Sequence, residues 1–205
     1  MKQENVKNEV KQPWSFEMYL RKVFKGIIDP IAGFLLRIGL TPNSITLLGL
    51  AFSIASAYFA SRGNMLVAGL LLFVGAPLDA VDGTMARKQG EIKKSGAFFD
   101  SVIDRYSEMV VFLGLLIHFL REGNDLACIL VFVAAAGSIL VSYVRARAEG
   151  LGLNGKAGFF GRVERLIVLV AGLLFNIPVV ALWIIAIGAN LTAILRFWFV
   201  RRQAE

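Results

Sequence analysis

The chain has 205 residues, 57% of them hydrophobic and 18% charged, with a formal net charge of +7. Its length suits one domain, and so apolar a composition excludes an ordinary water-soluble enzyme. A lone cysteine, Cys128, excludes an intrachain disulfide and a thiolate metal cluster; lying in an apolar run, it reads as a small packing hydrophobe.

Residues 1–12, MKQENVKNEVKQ, are polar, and no apolar core with a small-residue cleavage site follows, so they read as a disordered tail and not a cleavable signal. Residues 13–40 mix Trp14, Phe16, Tyr19, Val23 and Phe24 with Glu17, Arg21, Lys22 and Lys25. Pro30 interrupts, and the apolar piece after it is too short to span. This pattern predicts one or two amphipathic helices lying in the membrane interface, basic side toward the headgroups. Thr41 and Pro42 then form a helix start, as N-cap and first helical residue.

From there to the C-terminus, runs of about 20 mostly apolar residues recur, each long enough to cross a hydrocarbon core of about 30 Å. They predict an all-α integral membrane domain over 41–205 with six transmembrane helices, near 43–61, 65–87, 96–120, 125–149, 161–175 and 178–200. The fifth is the shortest. His118 falls alone in the third and reads as an interior histidine.

The positive charges predict topology. Of 22 Lys and Arg, seven precede residue 43, four lie at 87–94, five at 145–165 and three at 196–202. The opposite loops hold only Arg62 and Arg121, and Arg105 lies within a span. Excess Lys and Arg marks the cytoplasmic side, so both termini and both basic loops are expected there. The basic balance thus belongs to one face of a cell-membrane protein and calls for no nucleic-acid partner.

Four carboxylates break the apolar pattern. Asp79 and Asp82 are three apart near the cytoplasmic end of the second span; Asp100 and Asp104 are four apart near the start of the third. Each pair shares one helix face, and the short connection makes the helices antiparallel neighbours. An unpaired ionised carboxylate in a span costs ~2.5–3.5 kcal/mol on insertion scales, and four would repel one another. Bound cations resolve both problems. Hard oxygen donors suit Mg²⁺ or Mn²⁺, and a two-metal site fits displacement at phosphorus. Gly83, Ala86 and Gly96 leave room beside the carboxylates, Arg87 offers a bidentate phosphate contact, and Pro77 frees a carbonyl where the helix can bend. A cation transporter is the competing class. It requires polar residues to continue across the membrane, whereas the third and fourth spans turn apolar beyond their cytoplasmic ends.

Asp79-x-x-Asp82-Gly83-x-x-Ala86-Arg87, eight residues, then Gly96-x-x-x-Asp100-x-x-x-Asp104 resembles the signature of the CDP-alcohol phosphotransferase family at all eight defined positions. The resemblance covers nearly the whole chain. It implies transfer of a phosphatidyl-type group from a CDP-linked lipid, either CDP-diacylglycerol or its ether-linked archaeal-type analogue, to an alcohol, with release of CMP. It further implies that Asp79, Asp82, Asp100 and Asp104 hold two Mg²⁺ (or Mn²⁺) ions, and that Asp104 is also the general base. Gly83, Ala86, Arg87 and Lys93 would then contact the CDP moiety, with Asn43, Ser44, Ile45 and Thr46 bordering the cytidine end. Family members are typically homodimers.

The stretch 142–169 resembles phosphatidylinositol-phosphate and archaetidylinositol-phosphate synthases, which carry S-Y-x-[KR]-A-R-A-E-x-x-G and E-R-x-E-R-L. That likeness implies inositol 1-phosphate as acceptor, its phosphate held by Ser142, Arg145, Arg165 and Arg196. Glycerol 3-phosphate, giving a phosphatidylglycerophosphate synthase, is the alternative within the family. Arg147 and Arg162 are expected to anchor the membrane face or to pair with Glu149 and Glu164. Gly161 departs from the subfamily's usual Glu, and Lys93 from its small hydroxyl residue.

Overall fold

A computed structural model describes residues 16–90 and 94–204, with side chains from Lys25 onward. The tail expected at 1–12 and Lys93 lie outside the described residues. Eight helices follow in order: α1 (Phe16–Arg37), α2 (Pro42–Ser61), α3 (Met65–Gly75), α4 (Leu78–Lys88), α5 (Lys94–Arg121), α6 (Asp125–Gly150), α7 (Arg162–Leu174) and α8 (Pro178–Ala204). No strand occurs among the described residues.

Local chemistry explains several boundaries. Thr41 caps α2: its side chain accepts from Ser44 N at 3.2 Å, and Pro42 occupies the first turn, where its missing N–H costs nothing. Asn64 and Asn124 cap α3 and α6 in the same way. The second expected span is broken into α3 and α4 at Ala76–Pro77, because proline cannot donate to the carbonyl one turn back. The break puts Asp79 in the first turn of α4, where the helix dipole favours a carboxylate. Pro30, in contrast, does not divide α1, which runs through it as one helix.

Four segments are long and apolar enough to cross a membrane: Pro42–Ser61, Met65–Lys88, Asp125–Gly150 and Pro178–Ala204. The expectation of six was therefore broader than length and composition support. Helix α5 has 28 residues but carries Asp100, Asp104, Arg105 and Glu108 within its first 15, and α7 has only 13 residues. The chain is an all-helical, multi-pass membrane protein.

Helix α2 is the hub, packing against α5, α3 and α4. Helix α6 packs along α8, and α7 bridges α3 and α8. Helix α1 covers α4 through a small apolar cluster of Ile28, Ala32, Leu35 and Leu36 with Val81 and Met85. The main core is apolar through its depth, with Leu72, Val111, Phe112, Leu115, Leu169, Leu173, Leu182 and Ile185 buried together. Among the described residues, this cluster offers no ladder of acidic groups for a transported cation.

Close helix approach depends on small residues, as is usual in membranes. A Cβ on Gly114 of α5 would stand 2.4 Å from the Ala57 carbonyl oxygen of α2. Gly114→Ala is expected to push α5 off α2 and lower the melting temperature in detergent, on the scale of an overpacked core, ~1–3 kcal/mol. It should also lower activity, because these helices carry Thr46 and the Asp100–Asp104 pair. A scanning melt of the purified variant checks it.

Candidate active site

Helices α4 and α5 bring the four aspartates to one end of the bundle. Asp82 lies within electrostatic range of Asp79 and Asp100, and Asp104 within range of Asp79 and Asp100. Asp82 and Asp104 are buried, while Asp79 and Asp100 are half-buried. Asp79 and Asp104 share one cation, and Asp82 meets a hydroxyl donor. Thr46 Oγ1 donates to Asp82 Oδ2 at 2.7 Å, tying α2 to α4. Arg162 Nη1 lies 2.7 Å from Asp79 Oδ2 and its Nη2 2.8 Å from Asp104 Oδ1. Arg105 Nη1 lies 3.5 Å from Asp104 Oδ2.

Arg162 corrects an expectation. It does not anchor the membrane face or pair with Glu149 or Glu164; it lies between two of the signature aspartates. The reason is positional. Arg162 opens α7, and Phe160 N just before it donates to Thr192 Oγ1 of α8, which fixes where α7 enters. Glu149 pairs instead with Arg145, Nε to Oε1 at 2.9 Å, across one helical turn.

The donor set, four carboxylates at one end of the bundle, suits a hard divalent ion. As arranged, no three acidic or histidine side chains among the described residues draw close enough to hold one. The Arg162 guanidinium occupies the ground between α4 and α5.

The residues expected at the nucleotide end are grouped near the same end of the bundle. Asn43 and Ser44 are exposed in the first turn of α2, while Ile45 and Thr46 are buried. Ideal Cβ positions on Gly96 and Gly83 fall 3.9 Å from Asn43 Oδ1 and 3.6 Å from Arg87 Nη1, so both glycines adjoin this group. Ala86 is half-buried, and Arg87 is exposed, its Nη2 donating to Thr84 Oγ1 at 2.8 Å.

The expected acceptor residues divide into two kinds. Arg145 and Ser142 are half-buried on α6. Arg165 and Arg196 are buried, and each is gripped by the protein. Arg165 forms a forked pair with Glu108 of α5, Nε to Oε1 at 2.8 Å and Nη2 to Oε2 at 3.1 Å. Its Nη1 is buried without a hydrogen-bond partner among the described residues. Arg196 donates from Nε to Ala157 O at 2.6 Å and from Nη1 to Val141 O at 2.8 Å, clasping the loop before α7 to the body of α6. Arg145 and Arg165 lie within electrostatic range of Arg196.

A cavity of about 60 Å³ lies beside Asp79 and Asp104 and reaches one expected acceptor residue, Arg165; Ser142, Arg145 and Arg196 do not line it. Asp79, Asp104, Ser107, Glu108, Arg162 and Arg165 line its polar side. Glu108 was not anticipated from sequence, although a signal exists: Asp100, Asp104 and Glu108 follow one another at spacings of four on one face of α5.

The CDP-alcohol phosphatidyltransferase family model matches residues 39–195. The chain belongs to that family. A phosphatidylinositol phosphate synthase of Streptomyces avermitilis is 37% identical over 91% of this chain and 82% of its own length. An archaetidylinositol phosphate synthase of Pyrococcus horikoshii is 34% identical over 91% and 97% respectively. Among solved structures, the Mycobacterium tuberculosis phosphatidylinositol phosphate synthase with CDP-DAG bound superposes with a TM-score of 0.79 at 33% identity, covering 85% of this chain and 93% of that one. The same enzyme in complex with manganese and citrate gives 0.80 at 33% identity, covering 85% and 88%. The protein is a membrane transferase of phospholipid biosynthesis, with CDP-alcohol phosphatidyltransferase activity.

Glu108 is the sole acidic partner shown on Arg165 among the described residues. Glu108→Gln removes the charge that offsets a buried guanidinium, a loss of ~3–5 kcal/mol for a fully buried pair and less here, where Glu108 keeps some exposure. A marked fall in melting temperature is expected, against little change for Glu149→Gln at the exposed Arg145 pair.

Proposed function

We propose that the chain transfers the phosphatidyl group of CDP-diacylglycerol, or of its ether-linked analogue, to inositol 1-phosphate, releasing CMP and forming phosphatidylinositol phosphate. The observation that carries this reading is the shared cavity. It has the Asp79 and Asp104 carboxylates on one wall and Arg165, with an unmet buried donor, on another. A buried N–H with no partner is costly. An incoming phosphate oxygen would satisfy it while bringing the acceptor hydroxyl toward Asp104. The relatives named as phosphatidylinositol phosphate and archaetidylinositol phosphate synthases point the same way.

Asp79, Asp82, Asp100 and Asp104 would hold two Mg²⁺ or Mn²⁺ ions. Such ions neutralise a pyrophosphate and stabilise the departing CMP oxygen. The M. tuberculosis relative crystallised with manganese supports the choice of ion class. Asp104 would accept the proton of the attacking hydroxyl. The CDP moiety would lie against Gly83, Ala86, Arg87 and Lys93, its cytidine end against Asn43, Ser44, Ile45 and Thr46. Ser142, Arg145, Arg165 and Arg196 would take the acceptor phosphate, with Glu108 presenting the Arg165 fork.

The membrane arrangement belongs to the same proposal. Six crossings, with α5 and α7 added to the four apolar segments, place both termini and the site on the cytoplasmic face. CMP then leaves into water while the lipid tails stay in the bilayer. Helix α1 lies in the interface, and the chain pairs as a homodimer.

CMP release from CDP-diacylglycerol should require a divalent ion. Excess EDTA should abolish it and Mg²⁺ or Mn²⁺ restore it; turnover in EDTA would overturn the metal site. Asp104→Asn keeps a coordinating oxygen and loses the base, so the rate should fall ~10²–10⁴-fold with donor binding largely kept.

For the acceptor, Arg145→Ala and Arg165→Lys are expected to raise the KM for inositol 1-phosphate about tenfold to a hundredfold. That is the loss of a charge-assisted contact of ~1.5–3 kcal/mol. The lysine keeps a cation for Glu108 while removing the fork. The KM for the lipid donor should change little. An unchanged acceptor KM in both variants would return these arginines to structural duty.

A further inference from the structure

Arg162 contributes one guanidinium to two helices: Nη1 to Asp79 on α4 and Nη2 to Asp104 on α5. Those two oxygens belong to the carboxylates that the proposed function assigns to divalent ions. The guanidinium is not there by the chance swing of a surface side chain. Its backbone is held by the Phe160–Thr192 hydrogen bond on one side, and by Arg165, one turn later in α7, locked to Glu108. A planar fork matches two carboxylate oxygens in a way a lysine ammonium cannot.

We infer that Arg162 is a resident counter-cation of the aspartate cluster: it holds Asp79 and Asp104 while no divalent ion is bound, and it must release both when ions load. The inference rests on the reading that these carboxylates bind metal. Two physical effects act in the same direction. The guanidinium competes for oxygens that an ion needs, and its positive charge repels an approaching cation. Removing it therefore strengthens metal binding, although it removes two favourable contacts from the metal-free protein. A residue that only pre-aligned the carboxylates would do the reverse, and its loss would weaken metal binding. Arg162 also lines the cavity shared with Arg165, so once displaced its charge stays beside the substrate phosphates.

The test is Mn²⁺ titration of the purified full chain in detergent, with free Mn²⁺ read by its paramagnetic resonance signal. Wild type, Arg162→Gln, Arg162→Lys and Asp100→Asn are compared. Arg162→Gln is expected to bind Mn²⁺ about tenfold more tightly than wild type, on the scale of one charge-assisted contact. Arg162→Lys keeps the charge without the fork and should show a smaller tightening; it carries the test where the glutamine variant does not survive purification. In EDTA, Arg162→Gln should melt below wild type, and saturating Mn²⁺ should narrow that gap. Unchanged or weaker Mn²⁺ affinity in the Arg162 variants, with normal binding by wild type, would overturn the inference and leave the metal site standing. No Mn²⁺ binding by wild type, or equal binding by Asp100→Asn, would overturn the metal site and the inference with it.

Discussion

Carboxylates gathered at the end of a helical bundle repel one another and lose hydration, so each requires a donor or a cation within contact distance. Much of this fold serves that requirement. Helix α2 is capped and started by Thr41 and Pro42 so that Thr46, one turn in, reaches Asp82. The break at Ala76–Pro77 turns α4 so that Asp79 enters its first turn. The loop before α7 is clasped by Thr192 and Arg196, and this sets Arg162 between Asp79 and Asp104. Helices on three sides of the cluster are thus placed by contacts whose common effect is to offset negative charge.

In the proposed function, the same arrangement would keep the two substrates apart. The proposed nucleotide end carries the exposed side chains of Asn43 and Arg87. Arg165, by contrast, is buried at 1% exposure. A buried cation discriminates by charge more sharply than an exposed one, because little water screens it. If Arg165 takes the acceptor phosphate as proposed, a small charged acceptor would be selected inside the protein while the bulky lipid nucleotide approaches from the exposed end.

The helices were largely legible because hydrophobic run length and N-cap chemistry are local signals. All six apolar runs correspond to helices, with boundaries within a few residues and the second run broken at Pro77. The grouping of the four aspartates was legible too, since spacings of three and four on adjacent antiparallel helices leave few alternatives. What escaped were the long-range ionic pairings. Arg162 and Glu164 are neighbours in sequence, yet Arg162 reaches back 58 to 83 residues to Asp104 and Asp79. Arg165 similarly chooses Glu108 over any local acid. Helical spacing shows which side chains share a face, but how α7 docks against α5 decides which of several nearby acids each arginine meets. Pro30 shows the opposite limit: a strong local breaker, overridden where α1 lies along α4.

The central claim is that a phosphorylated alcohol receives the lipid phosphate. The most direct measurement is CMP release from CDP-diacylglycerol by the purified protein, with the lipid product identified by mass. Inositol 1-phosphate, glycerol 3-phosphate, free inositol and serine are offered in parallel. The account predicts rapid CMP release and phosphatidylinositol phosphate with inositol 1-phosphate, and little product with the other three. Turnover of free inositol or serine equal to that of inositol 1-phosphate would contradict it.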